Sequence, residues 1–469
     1  MARDPRRTTQ RDGRCVRHAG GEMNQAFDLL IRGGICVTPS GVAAADVGIK
    51  GGRIAAIGAL SQANAAEVFE ARGLHVLPGI IDTHVHFREP GNLEKEDMET
   101  GSRAAVLGGV TAVFDMPNTN PATTTRLHVE DKLKRAAARM YCDHAFYVGA
   151  SPENIGALSE LERLPGVAGV KAFLGSSTGS LLLDKEEMIL AALKSGRRRM
   201  AVHSEDEARL RARAKLAMPG DPRTHPVWRD VETARISTER VLRLARLTGR
   251  NLHVLHVTTA EELPLIAAAR DIATVEAAVP HLTLAAPECY ERLGTYAQIN
   301  PPIRDGRHRE ALWQGVAEGL IDVVGSDHAP HTRADKSGIY PQTASGLTGV
   351  QTLATIMLDH VNAGRMSLER FADLTSAGPA RVFGIAAKGR ITKGYDADFT
   401  IVDLGAKRRI ENRWIASRCG WTPYDGMQTM GWPVATILRG RVVMRDDAVV
   451  DAPSGQALRF LETLAPSAA

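Results

Sequence analysis

Residues 83–88 read Thr-His-Val-His-Phe-Arg and close an apolar run, Val76 to Ile81. In a strand, residues i and i+2 share a face, so His84 and His86 can hold one metal ion. Arg88 continues the alternation and sets a fixed positive charge beside that metal. The same residue types recur at other strand-like ends. Asn118 follows Phe114-Asp-Met-Pro on a loop, and Lys171 stands inside the apolar run Gly169-Val-Lys-Ala-Phe. His203 ends Ala201-Val-His, and His256 ends Leu252-His-Val-Leu-His, nearer the rim than His253. Asp327 and His331 lie in Gly325-Ser-Asp-His-Ala-Pro-His. Four histidines and a carboxylate without a thiolate suit zinc or another divalent first-row ion. Five such ligands exceed what one catalytic zinc takes from protein and point to two ions sharing a bridging group, about 3.5–4 Å apart. A buried lysine costs several kcal/mol, of order 2–7, unless neutralised, paired or modified.

These residues need a scaffold that brings several strand ends together. From about residue 74, strand-like runs alternate with Ala/Leu/Glu/Arg-rich helical stretches. The runs are Val76–His86, Thr111–Pro117, His144–Ala150, Gly169–Gly175, Met200–Glu205, Asn251–Val257, Ala273–Val279 and Ile321–His328. Eight strand–helix units predict a (β/α)8 barrel, whose chemistry sits at the C-terminal strand ends. The runner-up, an open doubly wound sheet, lacks a Gly-x-Gly-x-x-Gly turn after its first strand. Ala208 to Arg235 is read as a loop or helix insertion at the rim. Short β-rich pieces punctuated by Gly33-Gly34 and Gly51-Gly52 predict a small antiparallel sheet before the barrel, and β character returns after residue 386. The expected organisation is a head, 1–25, without apolar period; a β-sandwich domain from 26–73 and 386–455; the barrel, 74–385; and a loose tail, 456–469.

Composition excludes several classes. The chain has 469 residues, 44% of them hydrophobic, and a formal charge of +4. Six arginines against Asp4, Asp12 and Glu22 place +3 in residues 1–22, so no basic face for nucleic acid is implied. Five scattered cysteines without Cys-x-x-Cys spacing argue against a disulfide framework and fit a reducing, cytoplasmic setting. No apolar run approaches the ~18–20 residues of a membrane span. Met23, directly before the first patterned segment, predicts a later translation start.

Taken together, His84-Val-His-Phe-Arg-Glu-Pro-Gly, Asp115-Met-Pro-Asn-Thr, Val170-Lys-Ala-Phe, His203-Ser-Glu-Asp, His256-Val-Thr-Thr, Asn300-Pro-Pro-Ile-Arg and Asp327-His-Ala-Pro-His resemble the cyclic amidohydrolases. Among them the likeness is to the dihydroorotases, over nearly the whole chain from about residue 26. The resemblance implies two zinc ions held by His84, His86, His203, His256 and Asp327, bridged by a carbamylated Lys171. It implies reversible opening of dihydroorotate to N-carbamoyl-aspartate in pyrimidine synthesis, with Asp327 shuttling the proton. It further implies that Arg88, Asn118 and His331 clamp the substrate carboxylate, that Asn300 contacts the ring, and that the protein is a homodimer or homotetramer acting on a small molecule. Allantoinases and hydantoinases lack the arginine, which separates them from this reading. An inactive scaffold for a partner enzyme would have lost metal ligands, and all are present. One departure stands on strand seven: relatives commonly read Thr-Pro-His-His-Leu, whereas Ala278-Val-Pro-His-Leu lacks one histidine and shifts the proline. That position is not a ligand in the family, so altered rim packing is expected.

Overall fold

The computed structural model describes residues 16–17, 27–177 and 179–463. Eight parallel strands form the barrel: Ile80–Val85, Val110–Asp115, Asp143–Gly149, Val167–Phe173, Met200–His203, Leu252–Val254, Ala273–Ala278 and Val323–Gly325. Each pairs with the next in sequence. A parallel bridge between Val85 and His328 completes the ring, with the His86 N–H donating to His328 O at 2.7 Å. The first four strands are buried along their whole length, which is why they read as near-continuous apolar runs.

The helices carry the expected end signals. Met98–Leu107 starts in a capping box between Asp97 and Thr100. Val231–Thr248 starts on Asp230, whose side chain accepts from the Thr233 N–H, and stops at Gly249 in the left-handed region at φ 69°. The rim insertion is a series of short helices, Glu207–Arg213, Ala214–Leu216, Pro222–Thr224 and His225–Trp228, leading into that long helix.

Three expectations are corrected. The run Val76–His86 is two strands, not one: His75–Pro78 joins the second sheet and Ile80–Val85 the barrel. Gly79 divides them, because a Cβ there would collide with Thr111 Oγ1 and lie 2.9 Å from the Asp398 Cβ. The second sheet is mixed and not purely antiparallel, since Phe27–Thr38 pairs in parallel with Ala65–Glu70 and with His75–Pro78. Its ten strands draw on both chain ends, and Leu29, Val47, Phe69, Ile401 and Ile437 share one core. Thirdly, the tail is not loose from residue 456. Leu458 and Phe460 are buried with Phe114, Tyr147 and Phe383 under the barrel floor, tied by Leu458 N–H to His144 O at 2.8 Å. Four residues of alternation were too few to show this pattern in the sequence. The head, 1–25, lies outside the described residues except for Val16–Arg17, which pair with Glu67 and Val68. No helix among the described residues is long and apolar enough to cross a membrane.

Candidate active site

His84 lies in the first barrel strand and His86 just past its end, so alternation carries both rings to one side. Lys171 lies within the fourth strand and His203 ends the fifth. His256 and Asp327 each stand two residues beyond their strands. Nine of the ten residues singled out above line one cavity at the C-terminal ends of the strands. The tenth, His331, stands behind Arg88, its Nε2 3.2 Å from Arg88 Nη2. Arg88 is past the strand rather than on it. Its φ of 60° turns the chain, and His256 and Asp327 share this left-handed backbone, at 35° and 47°. Non-glycine residues seldom adopt it, and such strain gathers at functional sites.

The donor atoms converge. His84 Nε2 and His86 Nε2 lie 3.2 and 3.4 Å from the same Asp327 oxygen. His203 Nδ1 lies 3.1 Å from His256 Nε2. One ligand atom from each of His84, His256 and Asp327 falls within 4.8 Å of the others, a set that could hold a metal ion. The opposite ring nitrogens are held from behind. His84 Nδ1 meets Glu276 Oε1 at 2.7 Å, His86 Nδ1 meets Asn118 Oδ1 at 2.8 Å, and His203 Nε2 meets Glu205 Oε2 at 2.8 Å. Such outer partners fix a ligand histidine's tautomer and orientation. Glu205 is in turn bonded by Arg229, Nε to Oε1 at 3.1 Å.

Burial sets the protonation states. It pushes His84 down to about 4 and His86 and His256 well below the usual imidazole value, leaving neutral rings. Metal ligation requires that state. Burial raises Glu205, yet Arg229 and His203 hold it at about 2. Burial and the charge of Asp327 push Glu276 up to about 8, so behind His84 stands a carboxylate that a bound cation would return to its ionised form. Lys171 is fully buried, is pushed down to about 7 by burial, and its Nζ has no hydrogen-bond partner among the described residues. An amine that has only the Phe173 ring face, 4.5 Å away, for company and shares its cavity with four imidazoles and a carboxylate fits a site completed by metal.

The substrate-side residues ring the same cavity. Arg88 is buried; its Nε donates to Pro330 O at 3.1 Å, and among the described residues no carboxylate forms an ion pair with it. Asn300 Oδ1 accepts from His225 Nε2 at 3.0 Å, and Asn118, besides lining the cavity, is the residue bonded to His86. Sequence reasoning missed Glu276, Glu205 and Arg229. Glu276 carries the signal that exposed Lys171, an ionisable residue inside an apolar strand, Ala273–Ala278. On strand seven's departure, Val279–Thr283 forms a short helix and the remaining histidine, His281, is buried with Nε2 3.0 Å from Pro301 O.

Comparison with known proteins decides the family. The family model described as "Amidohydrolase family" matches residues 75–206 and 237–443, most of the chain. The chain belongs to the amidohydrolase family. A second model, "Urease alpha-subunit, N-terminal domain", matches residues 7–72. The chain is 38% identical to a dihydroorotase of Halobacterium salinarum over 86% of this chain and 94% of that protein. It is 37% identical to an allantoinase of Rubrobacter xylanophilus, over 92% and 98%. Among solved structures, an L-hydantoinase (dihydropyrimidinase) from Arthrobacter aurescens superposes with a TM-score of 0.87 at 30% identity, covering 92% of this chain and 99% of that one. The protein is thus a hydrolase among the cyclic amidohydrolases, with a metal-capable cavity where the family's barrels keep their chemistry.

Proposed function

We propose that the protein is a dihydroorotase, opening and closing the ring between dihydroorotate and N-carbamoyl-aspartate with two zinc ions. The carrying observation is Arg88, a buried guanidinium on the cavity wall that pairs with no carboxylate among the described residues. A planar guanidinium pairs with a carboxylate through two hydrogen bonds, so such a group is a receptor waiting for an anionic substrate. His84, His86, His203, His256 and Asp327 would hold the metal, with Lys171, as its carbamate, supplying a further carboxylate ligand. The lowered pKa and absent partner of Lys171 favour the free amine that reacts with carbon dioxide. When bound, zinc supplies Lewis-acid polarisation of the ring carbonyl and a water acidic enough to ionise near neutral pH.

The chain's own residues do the rest. Arg88 and Asn118 bind the exocyclic carboxylate, His331 completes that clamp by backing Arg88, and Asn300 contacts the ring. Asp327 accepts the proton of the attacking water on its carboxylate and returns it to the departing ring nitrogen, a positioned acid–base shuttle. Burial of the cavity residues keeps bulk water from competing.

A second reading, hydrolysis of a ring without a carboxylate, has its own support in the allantoinase and hydantoinase likenesses. The discriminating experiment assays dihydroorotate, allantoin and hydantoin side by side with wild type and Arg88→Met. Dihydroorotate should be turned over by wild type and lose roughly 30- to 1,000-fold in kcat/KM in the variant, the scale of losing one buried charge-assisted pair of about 2–4 kcal/mol. Equal dihydroorotate activity in both proteins refutes the assignment.

A further inference from the structure

Between the long strands Phe399–Arg409 and Gln428–Leu438 of the second sheet, the chain leaves that sheet and crosses to the mouth of the barrel. Residues 417–421 of this excursion touch both loops that carry the anion receptor. On one side, three consecutive residues meet the loop following Arg88. The Ser417 hydroxyl donates to Glu96, the Arg418 guanidinium pairs with Asp97, and Cys419 Sγ donates to Lys95 O at 2.9 Å. On the other side, Trp421 Nε1–H donates to His331 O at 2.8 Å, and Trp421 O accepts from the Thr348 hydroxyl. Trp421 is 1% exposed and stacks edge-on against Tyr296 at 4.9 Å, so its indole has no freedom to follow a shifting loop.

What these two loops hold between them is Arg88. Its Nε donates to Pro330 O and its Nη2 lies against His331 Nε2. The backbone at 330–331 therefore sets the direction of the guanidinium, and Trp421 fixes that backbone from behind. Lys95 closes the arrangement, Nζ 3.3 Å from His331 Nδ1. A receptor held by carbonyls of a loop is only as rigid as the loop, and a displacement near 1 Å is enough to spoil a bidentate contact.

We infer that the 417–421 excursion is a strap through which the second sheet aims Arg88, with Trp421 and Ser417 as positioning residues for binding of the substrate carboxylate. This rests on the dihydroorotase reading for the identity of the anion, while the mechanical part stands on the contacts alone. It assigns the second sheet a share in substrate selection, through residues that touch neither metal nor substrate.

The test uses the full-length, zinc-loaded protein and Trp421→Phe, which keeps an aromatic ring and removes the N–H donor. KM for dihydroorotate should rise about tenfold, kcat should stay within twofold, and zinc content should not change. In an Arg88→Met background the same substitution should add less than a twofold effect, because its target is gone. Amide exchange in residues 328–335 should accelerate at least tenfold. Ser417→Ala, a milder change on the other loop, should raise KM in the same direction. An unchanged KM, an effect that persists in full without Arg88, or a fall in kcat accompanied by zinc loss overturns the inference. If wild type fails to open dihydroorotate, the substrate reading falls separately, and unchanged exchange at 328–335 in Trp421→Phe then overturns the strap itself.

Discussion

Two buried lysines in this molecule live under opposite rules. Lys388, beneath the barrel, is surrounded by Asp143 at 2.7 Å, Asp396 at 3.3 Å and the Asp398 carboxylate, and although burial opposes it these charges raise its pKa. Lys171, in the cavity, has no hydrogen-bond partner among the described residues, and burial lowers its pKa to about 7. A barrel that can satisfy one buried amine with three carboxylates does not leave another unsatisfied for want of acids. The cavity is where an amine's bonding is left unmet, ready for groups that arrive from outside, and the cluster at the floor is where charge is closed off for stability.

The sharpest way to break this comparison is at the two cavity ends of the proton and metal chemistry. Asp327→Asn should lower kcat by about 10³–10⁴-fold with substrate affinity largely kept, the scale of losing a positioned general acid–base group. Lys171→Ala should leave at most one weakly held metal ion by elemental analysis. It should also leave the apo-protein's unfolding midpoint unchanged or raised, since it deletes a buried amine that lacks a hydrogen-bond partner among the described residues. Two tightly bound zinc ions in Lys171→Ala would dismantle the contrast.

Lys388→Met makes the opposite demand. Removing the cation leaves buried carboxylates facing one another, so stability should fall by about 3–5 kcal/mol. Denaturant melts of the apo-protein read this loss, and kcat of the zinc-loaded enzyme at temperatures where it is folded should be unaltered. A variant that lost activity but no stability would place Lys388 with Lys171 instead of against it.

The sequence made the barrel legible because its strands are buried on both faces and read as apolar runs, and it made the ligand set legible because ionisable residues interrupt those runs at their ends. What it hid depends on contacts distant in the chain. The break at Gly79 is set by Thr111 and Asp398, and the parallel pairing of Phe27–Thr38 by strands reached only after a turn and a hairpin. The strap at 417–421 grips residues more than 320 positions earlier, and nothing in Ser-Arg-Cys-Gly-Trp announces that. Glu276 was readable by the argument that found Lys171, applied three strands further along the barrel. Asn118 shows the remaining gap: its amide was legible as a polar group at the rim, but its bond to His86 depends on how two neighbouring strand ends meet.

The smallest effect asks whether the unmet bonding is confined to the cavity or spread over the whole catalytic face. Asp230, on the rim insertion, caps Val231–Thr248 and pairs with Arg209. Burial raises its carboxyl, but Arg209 and Thr233 hold it down at about 2, against an ordinary value of 3.8. A carboxylate with a depressed folded-state pKa contributes stability above its unfolded value, and that stability is lost as pH falls through the folded one. Asp230 should therefore stabilise fully above about pH 4 and cease to do so near pH 2, a contribution of about 1–2 kcal/mol after discounting for partial exposure. Asp230→Asn keeps the helix cap and removes the charge. Its stability deficit, followed by denaturant melts between pH 7 and pH 2, should shrink to nothing at the acid end. A deficit independent of pH would mean that the ion pair contributes little, and that charges on the rim, like those in the cavity, are left poorly matched.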